Sequence, residues 1–200
     1  MRTSLAPLLA VGLCGCGAKM PLPRDLATSS MELSVSGPPM ALSAGPFSVR
    51  AFRDVSEQEA TSVLGPPKTP ADRLFAFELA QGGEALRKVA CRAWKRPATG
   101  AAADDGGMAC AIGTAGGNTF GHLTMSDRAR GTMRLTVDGY VVEPEGEGTI
   151  VRKDTQTVAA WQYGAPRTAW LAKDATPDLQ ASMVSAMAAM VVYRDLVTSR

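Results

Sequence analysis

The segment that most constrains the fold is the last one. Residues 179–196 read LQASMVSAMAAMVVYRDL, and between Ala181 and Tyr193 the only polar side chains are Ser182 and Ser185. A helix lying on a sheet carries a polar stripe, because one of its sides meets water. This one is apolar on nearly every side, so it is stable in water only with protein around it. Its roughly 13 strongly apolar residues fall short of the ~20 that a hydrocarbon core demands. Thr176-Pro177-Asp178 supplies the start: a capping hydroxyl, a proline in the first turn and an acid at the positive helix end. A helix over about 177–197 is expected. Its alanines and methionines suit close approach and irregular gaps.

The residues before it read as short strands broken by turn residues. Phe75, Phe77 and Leu79 share one face, and so do Val89, Cys91 and Ala93, with Lys88 and Arg92 opposite. Gln81-Gly82-Gly83-Glu84 is a hairpin signal, because glycine accepts the positive φ of tight hairpin turns. Met108, Cys110 and Ile112 form another inward face, and Met133, Leu135 and Val137 a further one. Between these, Gly116-Gly117-Asn118 turns the chain into 119–125, and Asp138-Gly139 is a two-residue hairpin signal. Residues 149–152, 158–163 and 167–172 complete the series. Residues 96–107 read as a surface loop, and 56–63 as a site for a helical turn. The predicted class is mainly β with one long C-terminal helix: a closed antiparallel barrel of about 10–12 strands around an apolar central helix.

The first sixteen residues, MRTSLAPLLAVGLCGC, have the layout of an export signal: Arg2, a short apolar run, then small residues and cysteine. Leu13-Cys14-Gly15-Cys16 resembles the bacterial lipobox, in which the acylated cysteine follows a small residue. Cys16 fits, with Gly15 before it. Cys14 does not, because Leu13 is bulky where the peptidase takes a small side chain. The expected organisation is a signal peptide over 1–15, a lipid anchor at Cys16 with a Pro/Ser/Gly-rich tether over 16–46, and one barrel domain over 47–200. Within the tether, 31–35 alternates and suits an early edge strand. An ordinary cleaved signal, cut near Gly15, Gly17 or Ala18, is the alternative. Gly17 is not the aspartate associated with inner-membrane retention, which favours the periplasmic face of the outer membrane.

Export bears on the two cysteines that remain. Outside the cytoplasm, Cys91 and Cys110 read first as a disulfide closing a loop of about 18 residues. Buried free thiols, or a metal site completed by His122, are the alternatives, and the metal lacks a fourth ligand at a familiar spacing. Without Arg2 the chain carries 20 basic against 19 acidic residues and no long basic block, so a nucleic-acid partner is not expected.

The C-terminal pattern, 140–142, 148–151, 158–163 and 167–171 followed by 178–196, is similar to the tubby C-terminal-like superfamily, which includes scramblases and LURP-one-related proteins. That resemblance implies a closed barrel of about twelve strands enclosing the C-terminal helix. It transfers no lipid-binding residue to a position in this sequence, and the family does not require the cysteine pair. The alternative fold is a lipocalin-like barrel with an external helix and a ligand cavity inside.

No catalytic constellation stands out. His122, the single histidine, alternates with Phe120 and Thr124 in an expected strand, and no nucleophile-elbow pattern surrounds Ser126 and Asp127. Glu143, Glu145 and Glu147 lack calcium-loop spacing and read as a solvated hairpin. Trp94, Trp161 and Trp170 read as wall or core packing. No catalytic residue, cofactor or metal is assigned. The expected partners are the membrane, through the anchor, and an envelope protein or lipid. The expected function is a non-catalytic binding or interaction module, the alternative a small-ligand or lipid carrier of lipocalin type, with a hydrolase behind both.

Overall fold

The computed structural model describes residues 20–51, 72–94, 106–126, 131–135 and 138–198. A short helix, α1 (Arg24–Thr28), precedes twelve strands: β1 (Ser30–Ser36), β2 (Ser43–Ala44), β3 (Phe47–Ala51), β4 (Arg73–Gln81), β5 (Glu84–Trp94), β6 (Gly107–Thr114), β7 (Thr119–Ser126), β8 (Gly131–Leu135), β9 (Asp138–Glu145), β10 (Gly148–Lys153), β11 (Gln156–Gln162) and β12 (Thr168–Ala172). Each strand pairs antiparallel with the next in sequence, and β1 pairs with β12 to close the ring. A closed ring has no free edge to template aggregation. The final element is α2 (Pro177–Thr198).

Period two places the core inside. Phe77, Leu79, Val89, Cys91, Met108, Ile112, Leu123 and Met133 are buried and form one cluster with Met183, Met187 and Met190 of α2. Outward neighbours such as Lys88, His122, Thr124, Thr132 and Arg134 are exposed. A barrel that spans a membrane has the opposite polarity, with an apolar band outside. Helix α2 enters where β12 ends, and Asp178 in its first turn pairs with Arg87 near the start of β5. At the opposite end Arg194 stacks over the ring of Tyr163, just beyond β11, 4.2 Å from its centroid. The sixteen steps between Asp178 and Arg194 cover about 24 Å of helix. The helix therefore runs through the barrel, and every residue over 181–193 is buried. This excludes the external helix of the lipocalin-like alternative.

Three expectations need correction. Residues 20–46 are not a free tether. They form α1, β1, β2 and a 3-10 turn at Pro39–Ala41, so the domain begins before residue 47. The strand expected at 31–35 exists, but it is no edge: it closes the ring between β12 and β2. Asp138-Gly139 does not form the hairpin turn either, because Asp138 pairs with Leu135 and Gly139 with Arg134 inside the ladder. Inward packing of Leu135 and Tyr140 sets that register and outweighs the local turn preference of Asp-Gly. By contrast, Gly82 (φ 58°) and Gly83 (φ 91°) make the expected tight turn between β4 and β5. The turn expected over 56–63 and most of the loop over 96–107 lie outside the described residues.

Candidate functional site

Helix α2 does not sit on the barrel axis. It lies closest to β3, β5 and β6. At 100° per residue, Met183, Met187 and Met190 share one side and Ala181, Ser185, Ala188 and Val192 the other. The methionine side faces β11, because the Tyr163 hydroxyl donates to Met190 Sδ at 3.2 Å. In a ring of twelve, β11 is opposite β5. Small residues thus allow close approach to one wall, and long thioethers fill the wider gap to the other. The filling stops at the helix start. Below Met183 the wider side opens into a cleft of about 340 Å³ at the barrel mouth.

Every element contributing to this cleft ends or begins at the mouth. Phe120 comes from the start of β7, Leu135 from the end of β8, Asp138 and Tyr140 from the start of β9, and Lys153 from the end of β10. The floor is closed by the first turn of α2, where Thr176 Oγ1 accepts the Leu179 N–H at 3.2 Å as a helix cap. Lys153 Nζ donates to Asp138 Oδ1 at 2.7 Å. That bond holds the Lys153 ammonium above its usual range. Both side chains reach water, which screens the pair, so it adds little to stability. Burial, and then the Asp138 carboxylate, push the Tyr140 phenol up, keeping it a neutral donor. On the other flank the Arg87 guanidinium lies over Phe120, 4.9 Å from the ring centroid, and pairs with Asp178. Its side chain is 8% exposed, against 76% for Asp178. A buried arginine thus ties the helix start to the wall. The cleft presents preset charges of both signs, a phenol and an apolar back wall, which suits reversible recognition of a small polar group.

The residues singled out in the sequence fall elsewhere. Cys16 lies outside the described residues. Cys91 and Cys110 are directly opposite on β5 and β6, with Cα atoms 4.1 Å apart, and are joined by a disulfide buried inside the barrel. His122 is exposed on the outer wall, and its cross-strand neighbours are Ala111 and Arg134, neither of them a carboxylate. Glu145 and Glu147 sit at the β9–β10 hairpin at the end away from the cleft, and Glu143 pairs with Arg152 at 3.1 Å. The tryptophans are wall packing. Trp161 points inward and donates to the Tyr163 hydroxyl (3.0 Å), which also meets Thr149 Oγ1 at 2.8 Å. Trp170 points outward and is covered by Leu26 of α1. Burial pushes the Tyr163 phenol up, against the bonds from Thr149 and Trp161. Among the described residues, no group of three or more histidine, cysteine, aspartate or glutamate side chains could hold a metal.

The cleft residues Asp138, Tyr140 and Lys153 were not anticipated. Counting strand directions would have found them, because successive hairpins alternate between the two ends. The fold and cleft define a class: a closed twelve-stranded up-and-down barrel packed around its own C-terminal helix. No protein-family model, curated protein or solved structure matches this chain.

Proposed function

We propose that this chain is a lipid-anchored bacterial envelope protein and acts as a non-catalytic binding module. The anchor would be Cys16, on the periplasmic face of the outer membrane, and the recognition surface the barrel mouth. One observation carries the reading: the helix occupies the barrel interior, so recognition falls to the mouth cleft with Asp138, Lys153 and Tyr140 at its rim. Such a cleft fits a small polar or zwitterionic group presented by an envelope protein or a lipid. The position of His122 on the outer wall, with no carboxylate across from it, supports the non-catalytic assignment. Kinship with the tubby-like superfamily is proposed on the same filled-barrel architecture.

Two measurements test this. Cells fed a labelled fatty acid should label the wild-type chain and Cys14→Ala but not Cys16→Ala. A photo-crosslinker at Gln156, on the cleft, should capture a partner that is lost in Asp138→Ala/Lys153→Ala and is not captured from His122. The carrier reading has one observation in its favour: about 340 Å³ lies within the range of small-ligand pockets. Native mass spectrometry decides between them. A stoichiometric small molecule bound to protein purified from cells establishes the carrier.

A further inference from the structure

The segment that precedes the barrel is fastened along its outside, and this fixes where the chain emerges. Met20 N–H donates to Gln162 Oε1 at 2.8 Å. Met20 and Leu26 cover Ile150, Ala160 and Trp170 on the outer faces of β10, β11 and β12. A Cβ on Gly148 would collide with Met20 Sδ and the Trp161 carbonyl. Asp25 accepts the Thr157 N–H at 2.7 Å, and the Lys173 N–H is donated to the Ser29 carbonyl. The strap therefore begins at the end of β11, away from the cleft, and finishes beside the mouth, where β1 starts. Gln162 and Gly148 pair at that far end, next to the β9–β10 hairpin.

Three residues, 17–19, separate Cys16 from Met20. Four steps of about 3.6 Å reach at most ~14 Å. We infer that the far end of the barrel, with the 145–147 hairpin and the 164–167 turn, is held against the lipid headgroups, and that the mouth cleft points away from the bilayer. The inference rests on the proposed acylation of Cys16. Strand β10 joins the two ends; its five steps cover ~17 Å, or about 13 Å along an axis tilted by ~40°, and the hairpin tips at 147 and 155 beyond it stand about 15 Å apart along that axis. The cleft then stands about as far from the Met20 end as the fully extended tether reaches. Among the described residues Val141 is the only exposed large apolar side chain, and strap residues Arg24, Asp25 and Thr28 are exposed and polar, so these offer no competing apolar contact to the bilayer. Arg73, Arg167 and Arg194 lie at the same end of the barrel as Glu145 and Glu147, so that end carries charges of both signs.

The test uses the full acylated chain, extracted from membranes and reconstituted in phosphatidylethanolamine–phosphatidylglycerol vesicles containing headgroup-nitroxide lipid. A dye is attached through Glu147→Cys at the far end or Thr155→Cys at the mouth, with the native disulfide left oxidised. Both sites are exposed hairpin tips at opposite ends of β10. Quenching at 147 should exceed that at 155 by at least about threefold, given the ~15 Å offset. A Gly/Ser insert of about 20 residues after Ala18 should collapse the ratio, because its end-to-end distance of ~25 Å exceeds that offset. Equal quenching in the anchored wild-type spacing overturns the pose and leaves the anchor standing. A wild-type chain that carries no acyl group, or a Cys16→Ala chain that stays on the vesicles as firmly, overturns both.

Discussion

Substitutions on the two sides of α2 should both destabilise, for opposite reasons, because the helix is enclosed. Met187 is 2% exposed and faces the wider gap toward β11, whereas Ala188 is fully buried on the side near β5. Met187→Ala leaves a cavity that the closed ring cannot collapse. Large-to-small changes of this kind cost about 2–5 kcal/mol. With ~3 kcal/mol and about 2–4 °C per kcal/mol for a domain of this size, Tm should fall by roughly 6–12 °C. Ala188→Leu adds three carbons where the backbones approach closely, and overpacking costs about 1–3 kcal/mol, so Tm should fall by roughly 2–12 °C. Thr155→Ala, in an exposed turn, is the control and should stay within about 0.5 kcal/mol. Calorimetry with the disulfide intact measures all three, and urea midpoints check them. Ala188→Leu is the sharper variant, since on a helix with one open side the added leucine would be neutral or stabilising. An unchanged or raised Tm for Ala188→Leu, with less than about 2 °C lost in Met187→Ala, refutes the enclosed helix.

The cross-strand disulfide closes a loop of sequence separation 19, so Cys91→Ala/Cys110→Ala should lose about 3 kcal/mol in urea unfolding. A midpoint equal to that of the oxidised wild type would show that the bond constrains nothing. Asp178→Asn strips the buried Arg87 of its charge partner. Because Asp178 is 76% exposed, water softens the loss to about 1–2 kcal/mol, below the 3–5 of an enclosed pair. Arg87→Met should cost less than Asp178→Asn, since it removes the charge and keeps the stem; the reverse order in thermal melts contradicts a purely structural arginine. Burial works against the Asp25 charge, but the Thr157 and Leu26 amides outweigh it and hold the carboxyl below its usual range. A lowered folded value means that this contribution is whole above the ordinary aspartate pKa of about 3.9 and is lost as pH falls through the lowered one. The Thr157 amide resonance should report that titration below the ordinary value, and it should be flat across the same range in Asp25→Asn. A midpoint at or above the ordinary value rejects the strap contact.

The fold was legible where a single physical demand dominated. A helix with no polar side needs enclosure, and period-two strands can enclose it only by closing a ring. Together those two demands specify a barrel. The failures came where two demands competed. Residues 20–46 are rich in proline, serine and glycine and read as tether, yet Met20 and Leu26 are there to cover apolar groups on the outer face of the wall. The covered strands gave the signal: 149–151, 158–161 and 169–172 are almost continuously apolar, which means burial on both faces. Something had to lie outside them. At Asp138-Gly139 a local turn preference met the packing of Leu135 and Tyr140, and packing won.

The cleft was hidden for a related reason. Its rim residues belong to strands far apart in sequence, and each one alone reads as turn chemistry or a solvated charge. What joins them is the helix offset, and that offset is written in α2 itself: alanine, serine and valine on one side, methionine on the other. A helix so divided cannot be centred in a ring of even radius, because the short side must be drawn to its wall and the opposite gap must widen. Methionine fills the gap from Met183 onward, but Leu179 and the capping turn before it do not reach β9 and β10. A void at the helix start, on the wall opposite the small residues, follows from that asymmetry. Asp138, Tyr140 and Lys153 line it because their strands begin or end there. The asymmetry of one helix thus accounts both for the close packing of the core and for its opening at the barrel mouth.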